Sequence, residues 1–329
     1  MHGDIIKTSL TVYSKGRLNM KKALALLACL LCLFLMWKQE RIAVNKSEEN
    51  TFPKGKITYL TAYKKGNDMA IKEAEKFVNS SIMEGMTSVR AVLAGADTGV
   101  NDRKIEKILF DKAKTRSKFR ELGFLRAKSA ERGFEIEFVS AEEIEELAIG
   151  GSHGGVLAYT GDRTIKNIKE EEIKNGGFYV FLQGIEDPYN FGYALRSLYA
   201  AGVDGVVLEK RNWMSAAGVV CRASAGASEM MPLCWGEPEE IAQIFKEKGY
   251  AIVAADKTDD AVSVYDTEIK FPVLLVVGGE KRGISAAFRE YCDKTVMLDY
   301  GREFRAALSA ASASSIIAFE IFRQNRGKT

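Results

Sequence analysis

The densest chemical signal in the chain is the stretch 181–203, FLQGIEDPYNFGYALRSLYAAGV. It opens as the end of an apolar strand expected over 178–182. It then breaks into a polar turn through Glu186, Asp187, Pro188, Tyr189 and Asn190, and resumes as a helix over 191–201 that Gly202 stops. A strand feeding a turn feeding a helix is where α/β proteins build ligand sites. The turn holds two acids, a proline that fixes φ and an asparagine suited to capping the helix. Within the helix Arg196 stands among Leu195, Leu198, Tyr199 and Ala200. A guanidinium in an apolar helix start, beside a polar turn, is a candidate ligand for a phosphate or another anion. Its plainer alternative is a salt bridge to Glu186 or Asp187. A second signal follows the apolar run 271–277: Gly278, Gly279, Glu280, then Gly283. Glycines at the carboxyl end of a buried strand let a ligand approach the backbone. A tight turn explains glycines equally well, but a plain turn has little use for the carboxylate of Glu280. The spacing is not that of a dinucleotide fingerprint, and no Lys-Ser/Thr pair follows the last glycine, so it is not a nucleoside-triphosphate loop.

Asp187, Pro188, Asn190, Gly192 and Arg196, followed by a small-residue helix and Ala-Gly-Val, resemble the first motif of the SpoU (TrmH-like) RNA 2′-O-ribose methyltransferases of the SPOUT superfamily. LLVVGGEKRGIS, with Gly278, Glu280 and Gly283, resembles the second motif, and 298–320 a less regular third. The resemblance covers the chain from about residue 170 onward. It implies a parallel-sheet α/β domain with a C-terminal trefoil knot, a homodimer, RNA (rRNA or tRNA) as substrate and S-adenosylmethionine as cofactor. The cofactor would be held by Gly278, Gly279 and Gly283, by Met297 and Leu298, and by Leu308. Arg196 would orient an RNA phosphate or activate the ribose hydroxyl, with Asn190 and Glu280 shaping the site. The third motif departs from the family. Relatives carry Ser-Leu-Asn-Val-Ser where this chain has Arg305-Ala306-Ala307-Leu308-Ser309-Ala310-Ala311. In one register Ser309 replaces the Asn; in the other it is the final Ser and Ala307 replaces the Asn. Ser309 is the catalytic candidate in both.

The elements that must position these residues fall into two lobes. The 329 residues are enough for two domains, and 47% hydrophobic with 28% charged residues describes an ordinary globular chain. Residues 55–165 alternate strands and helices. Helices are expected over 68–79, 104–113 and 119–132, with one opened by a Ser140/Glu143 capping box. Strands are expected over 88–93, 134–139 and 156–159. This arrangement resembles the ribosomal-protein-L30e-like substrate domain of many SpoU enzymes, and His153-Gly154-Gly155-Val156 looks like the H-Q-G-V that closes it. A turn role is the alternative for His153. The charged stretch 161–176 reads as a hinge. From 170 to 329 further strands are expected over 203–208, 250–255, 271–277 and 295–298, with a closing helix over 305–323; the second and third of these are apolar enough for buried parallel strands.

The net charge of +3 neither requires nor excludes a polyanionic partner. A local excess over 112–132, KAKTRSKFRELGFLRAKSAER, could meet phosphates, or it is a solvated helix face. Cys221, Cys234 and Cys292 are dispersed, and the Cys29/Cys32 pair lies in an apolar run with no second pair, so neither a disulfide framework nor a metal site is expected. That run, 23–37, follows Lys21 and Lys22 and falls short of the ~20 residues a membrane span needs. Three readings stand: residues 1–54 are a misassigned start, a true anchor, or an export signal. The expectation adopted is the first, with a cytoplasmic enzyme and membrane contact only if 23–37 is real. The combined expectation is S-adenosylmethionine-dependent methylation of an RNA ribose 2′-hydroxyl. A non-catalytic or base-modifying RNA-binding protein on the same fold is the alternative.

Overall fold

The computed structural model describes residues 81–209, 216–280 and 282–327; the apolar run, its linker and the helix expected over 68–79 lie outside them. The first lobe is a four-stranded sheet in the order β1-β4-β2-β3, from β1 (Ile82–Glu84), β2 (Ile105–Asp111), β3 (Glu135–Val139) and β4 (Val156–Thr160). β2 and β3 are parallel, and β4 runs antiparallel to β1 and β2. Its helices are α1 (Gly85–Asp97), α2 (Phe119–Arg132) and α3 (Ala141–Leu147). The capping box of α3 forms as its sequence requires, with the Glu143 N–H on Ser140 and the Glu143 carboxylate on the Ser140 N–H.

Two expectations for this lobe are reversed. Residues 88–93 lie inside helix α1, because Val89, Val92 and Leu93 form an i, i+3, i+4 stripe that six residues alone do not display. Of residues 104–113, 105–111 form strand β2 rather than a helix. Ile108 and Phe110 pack into one core and Leu109 into another, so both faces of the strand are covered and alternation disappears.

The second lobe is an eight-stranded parallel sheet in the order β10-β12-β9-β11-β6-β7-β8-β5. Its strands are β5 (Lys166–Asn167), β6 (Phe178–Gln183), β7 (Gly205–Leu208), β8 (Leu233–Trp235), β9 (Ala251–Ala255), β10 (Val262–Ser263), β11 (Val273–Gly278) and β12 (Lys294–Met297). Phe178, Val180 and Leu182 of β6 face one core with Val273, Leu275 and Val277 of β11; Tyr179, Phe181, Leu274 and Val276 face the other. Helices α4 (Pro188–Ala200), α5 (Ala217–Ala223), α6 (Ala227–Met230), α7 (Pro238–Glu247), α8 (Ala286–Arg289) and α9 (Ala310–Asn325) complete it. α4 packs between α9 and α5. Gly192 permits that approach, since a Cβ there would come within 2.6 Å of the Ala223 Cβ and 2.9 Å of the Val220 carbonyl oxygen.

The stretch 161–176 is fastened down rather than a free hinge. Arg163, Ile165, Ile168 and Ile173 are buried, and β5 joins the large sheet beside β8. Across the junction of the lobes, the Arg103 Nε donates to Glu229 Oε2 at 3.0 Å with both side chains 3% exposed, and the Asn101 Nδ2 donates to the Glu229 carbonyl at 2.7 Å. Arg163 donates to the carbonyls of Ser228, Val100 and Met231. Burial pulls the Arg163 guanidinium below its ordinary pKa, with Glu229 acting in the opposite sense. Glu229 thus offsets two buried cations, so Glu229→Ala should cost about 3–5 kcal/mol in a urea titration. A loss below about 1 kcal/mol would show that the ion pair does not hold the lobes together.

Candidate active site

The first motif is shaped by its cap. Asp187, not Asn190, is the N-cap of α4: its side chain accepts from the Asn190 N–H at 2.7 Å, and Pro188 takes the first helical position. That leaves the Asn190 side chain available, and its Nδ2 donates to Glu280 Oε1 at 3.0 Å. The bond joins the two motifs across 90 residues of sequence. It is possible because β6 and β11 are parallel neighbours with Gln183 opposite Gly278, so both loops leave the same edge of the sheet side by side. Gln183 ties the loops again: its Oε1 accepts from the Ser285 N–H at 2.8 Å and its Nε2 donates to Glu209 at 2.8 Å.

The bend after β11 is closed by the Gly283 N–H on the Gly279 carbonyl at 2.8 Å. Its glycines answer to steric demand. A Cβ on Gly278 would overlap the backbone of Gly283, and one on Gly279 would overlap the carbonyl of Gly184. Beside this bend lies a hollow of about 210 Å³. Gly278, Gly279, Gly283, Met297, Leu298 and Leu308, the whole expected cofactor set, line it. A smaller hollow of about 110 Å³ opens at the first motif, with Gly184, Ile185, Asp187 and Asn190 in its wall. Glu280 and Ala310 belong to both walls, so the two hollows adjoin.

Two expected residues stand outside these walls. Ser309 is the N-cap of α9, its Oγ accepting from the Ser312 N–H at 3.1 Å, one residue from the shared Ala310. Arg196 is exposed on α4 and makes no ion pair with a described residue, so neither the salt bridge to Glu186 or Asp187 nor a place in the hollow wall within this chain is observed. It lies on the outer face of α4 between the exposed Tyr193 and Tyr199.

Three polar lining residues lie outside the expected set: Asp256, Lys257 and Tyr300. Asp256 follows β9 directly and is paired with Arg289. The Lys257 ammonium sits 5.4 Å from the centre of the Tyr300 ring, whose hydroxyl accepts from the Leu308 N–H at 3.2 Å. These contacts hold the segment after β12 against the hollow. The available signal was an acid at the carboxyl end of an apolar strand next to the second motif's strand. Burial pushes the Cys221 and Cys234 thiols up to about 12 and Cys292 to about 11, so none offers a thiolate near neutral pH. Among the described residues no His, Cys, Asp and Glu side chains are grouped to hold a metal ion.

Residues 177–319 match the SpoU rRNA Methylase family model. The 23S rRNA (guanosine-2′-O-)-methyltransferase RlmB of Shewanella oneidensis is 29% identical over 203 residues, covering 59% of this chain and 80% of that protein. The putative TrmH family tRNA/rRNA methyltransferase YacO of Bacillus subtilis is 25% identical over 236 residues, covering 69% of this chain and 92% of that protein. In fold, the chain is similar to the SpoU methyltransferase AviRb from Streptomyces viridochromogenes, solved with AdoMet, at a TM-score of 0.61, 19% identity and coverage of 78% and 97%.

The bend makes a local stability prediction. Gly279→Ala must displace the Gly184 backbone and should cost about 1–3 kcal/mol by denaturant titration. Gly301→Ala, which meets nothing within 4 Å, should be neutral or slightly stabilising. Equal effects would refute the close packing of the two motif loops. Motif order, sheet topology and the family match converge on one conclusion: residues 177–319 carry the sequence pattern of the SpoU rRNA Methylase family.

Proposed function

We propose that this protein transfers a methyl group from S-adenosylmethionine to a ribose 2′-hydroxyl in ribosomal or transfer RNA. The observation that carries the proposal is the Asn190–Glu280 bond, which closes the two motif loops around adjoining hollows. The larger hollow fits the cofactor. Glycines at 278, 279 and 283 let a purine and an amino-acid portion approach the backbone closely, while Val277, Val296, Leu298 and Ile317 supply an apolar wall. When bound there, S-adenosylmethionine supplies an electrophilic sulfonium methyl.

A ribose hydroxyl is a weak nucleophile at neutral pH, so the protein's task is to align it and ease loss of its proton. Asn190 and Glu280 hold the shared wall between the hollows, where an acceptor ribose would meet the cofactor. The proposed role of Arg196 is to grip the neighbouring phosphate and stabilise the developing alkoxide. Its position on the outer face of α4 fits that role in a homodimer. Tyr193 and Tyr199 of α4 and Ile316, Phe319 and Phe322 of α9 are exposed on two helices packed against each other, and a second copy covering them would bring Arg196 to the subunit boundary. The first lobe, within 55–165, is assigned to RNA binding and 170–329 to catalysis. The knotted C-terminal path and a cytoplasmic location go with the same reading. Among the described residues no helix is long and apolar enough to cross a membrane.

The capping role of Ser309 and the alanine at 307 favour one competing reading, a protein that binds cofactor and RNA without transfer. Incubation with methyl-labelled cofactor and bulk ribosomal or transfer RNA decides between them. Labelled RNA whose modified linkage resists alkaline cleavage establishes the 2′-O position; label at an alkali-sensitive linkage means a base product, and cofactor binding without labelled RNA means no transfer. Ala313→Trp, which fills the larger hollow, should weaken cofactor binding more than about 10-fold. Arg196→Ala should abolish transfer with cofactor affinity largely intact, and unchanged turnover would refute its role. Phe319→Glu should convert a dimer to a monomer in sedimentation; a wild-type chain that is already monomeric would remove the dimer and the boundary position of Arg196 together.

A further inference from the structure

We infer that residues 114–120 and the glycine loop 150–155 form a track for single-stranded RNA leading to the Asn190–Glu280 hollow, with Phe119 as a platform on which one unpaired base stacks. The inference rests on the RNA reading above and gives it a surface and a strand type.

The strip 114–120, KTRSKFR, carries Lys114, Arg116, Lys118 and Arg120 with no acid among them. Lys114 is paired with Asp111 at 3.6 Å; Arg116, Lys118 and Arg120 make no ion pair with a described residue. Between two of these cations Phe119 opens α2 with 64% of its surface exposed, and the Arg120 guanidinium lies 5.7 Å from the centre of its ring. The core does not require this ring, because α2 buries Leu122 and Leu125 instead. Phe124 on the same helix shows the contrast: it is partly buried against the lobe core, with Arg90 4.0 Å from its ring centre. An aromatic ring left in water among unpaired cations matches a nucleic-acid surface, with phosphates on the charges and a base on the ring.

The strand type follows from the ring. An A-form duplex presents phosphates and 2′-hydroxyls but no free base face, so Phe119 would have nothing to stack on; a single strand offers one. The direction follows from the loop. The Lys118 ammonium lies over Gly154, where a Cβ would come within 2.9 Å of it. At the other end Gly150 lies against the Arg222 guanidinium, which a Cβ would overlap. Arg222 donates to Glu84 at 2.7 Å and to the Tyr189 hydroxyl at 3.3 Å, and Glu84 also accepts the Ile149 N–H at 2.6 Å. Tyr189 precedes Asn190 in the first motif. The cationic strip, the side-chain-poor loop and the catalytic hollow are therefore successive neighbours. The acidic helix α3 borders the loop, where Glu145 meets the His153 ring at 3.0 Å, and fences a polyanion to the other side.

The test uses the full chain, a labelled short single-stranded RNA, and a duplex of equal length. Phe119→Ala should weaken single-strand binding roughly 5- to 150-fold while leaving duplex binding and S-adenosylmethionine affinity unchanged. Phe119→Trp should retain single-strand affinity. The Lys118→Gln/Arg120→Gln double variant should lower the slope of log affinity against log salt on the single strand by about 1.4. Phe119→Ala binding within about twofold of wild type, or an equal loss on the duplex, would overturn the platform. Methyl transfer is measured in parallel: RNA binding that depends on Phe119 without transfer keeps the track and sinks the methylation reading, and transfer with an indifferent Phe119 does the reverse.

Discussion

The parallel pairing of β6 with β11, Phe178 opposite Val273 through Gln183 opposite Gly278, is the constraint on which the site depends. Both strands are buried on both faces, so a slip in register would expose apolar side chains to the wrong core. With that register fixed, two loops of unrelated sequence leave the sheet at one level. The Asn190–Glu280 bond, the Gln183–Ser285 pair and the contact of Gly279 with Gly184 are its local consequences. None of these contacts would form between isolated loops at acceptable entropy cost. The sheet makes a local arrangement out of residues far apart in the chain.

The same logic limits what the sequence discloses. Every residue that the resemblance assigns to the cofactor lines one hollow: Gly278, Met297 and Leu298 lie at or just past strand ends, Gly279 and Gly283 in the bend after β11, and Leu308 just before α9. The first motif is legible from its residue types, although its sequence offers Asn190 as the cap and the structure uses Asp187. Asp187 precedes Pro188, and an acid just before a first-turn proline is the stronger cap. What stayed hidden depends on tertiary partners. Strand β2 loses its alternation because helices and strands cover both faces, so its Ile105, Ile108 and Leu109 imitate a helical stripe. Tyr300 reaches the hollow only because its hydroxyl takes the Leu308 N–H and Lys257 approaches its ring, pairings that no spacing rule announces.

The junction between the lobes shows how a charged sequence can be structural. The stretch 161–176 looks like a solvated hinge by composition, yet Arg163 is spent on three backbone carbonyls and Glu229 is shared among the Arg103 guanidinium and Asn101. Burying two guanidiniums against one carboxylate is costly unless their donors are satisfied, and nearly all of them are; the Arg163 Nε is the exception. Such a junction favours one relative placement of the lobes over many. A rigid placement suits a protein in which a substrate-gripping surface on one lobe must deliver a reacting atom to a hollow on the other, since a displacement of about 1 Å can cost 10²-fold in rate.

The departure in the third motif falls where this design tolerates it. The wall of the larger hollow is largely backbone at 278, 279 and 283 and aliphatic side chains from Val277, Val296, Leu298 and Ile317; Ala307 and Leu308 of the segment before α9 also line it, so in the register that puts Ala307 at the asparagine position the change replaces a polar side chain by a methyl in that wall. Ser309 still does what a residue at this point must do for the helix, accepting the Ser312 N–H and keeping the start of α9, with Ala310, in the wall common to both hollows. The substitution therefore removes polar contacts rather than packing. Under the proposed function, contacts toward the acceptor are the task of Asn190, Glu280 and Arg196. A site whose cofactor half is built from backbone and whose acceptor half is built from a few side chains can change its acceptor without rebuilding its fold.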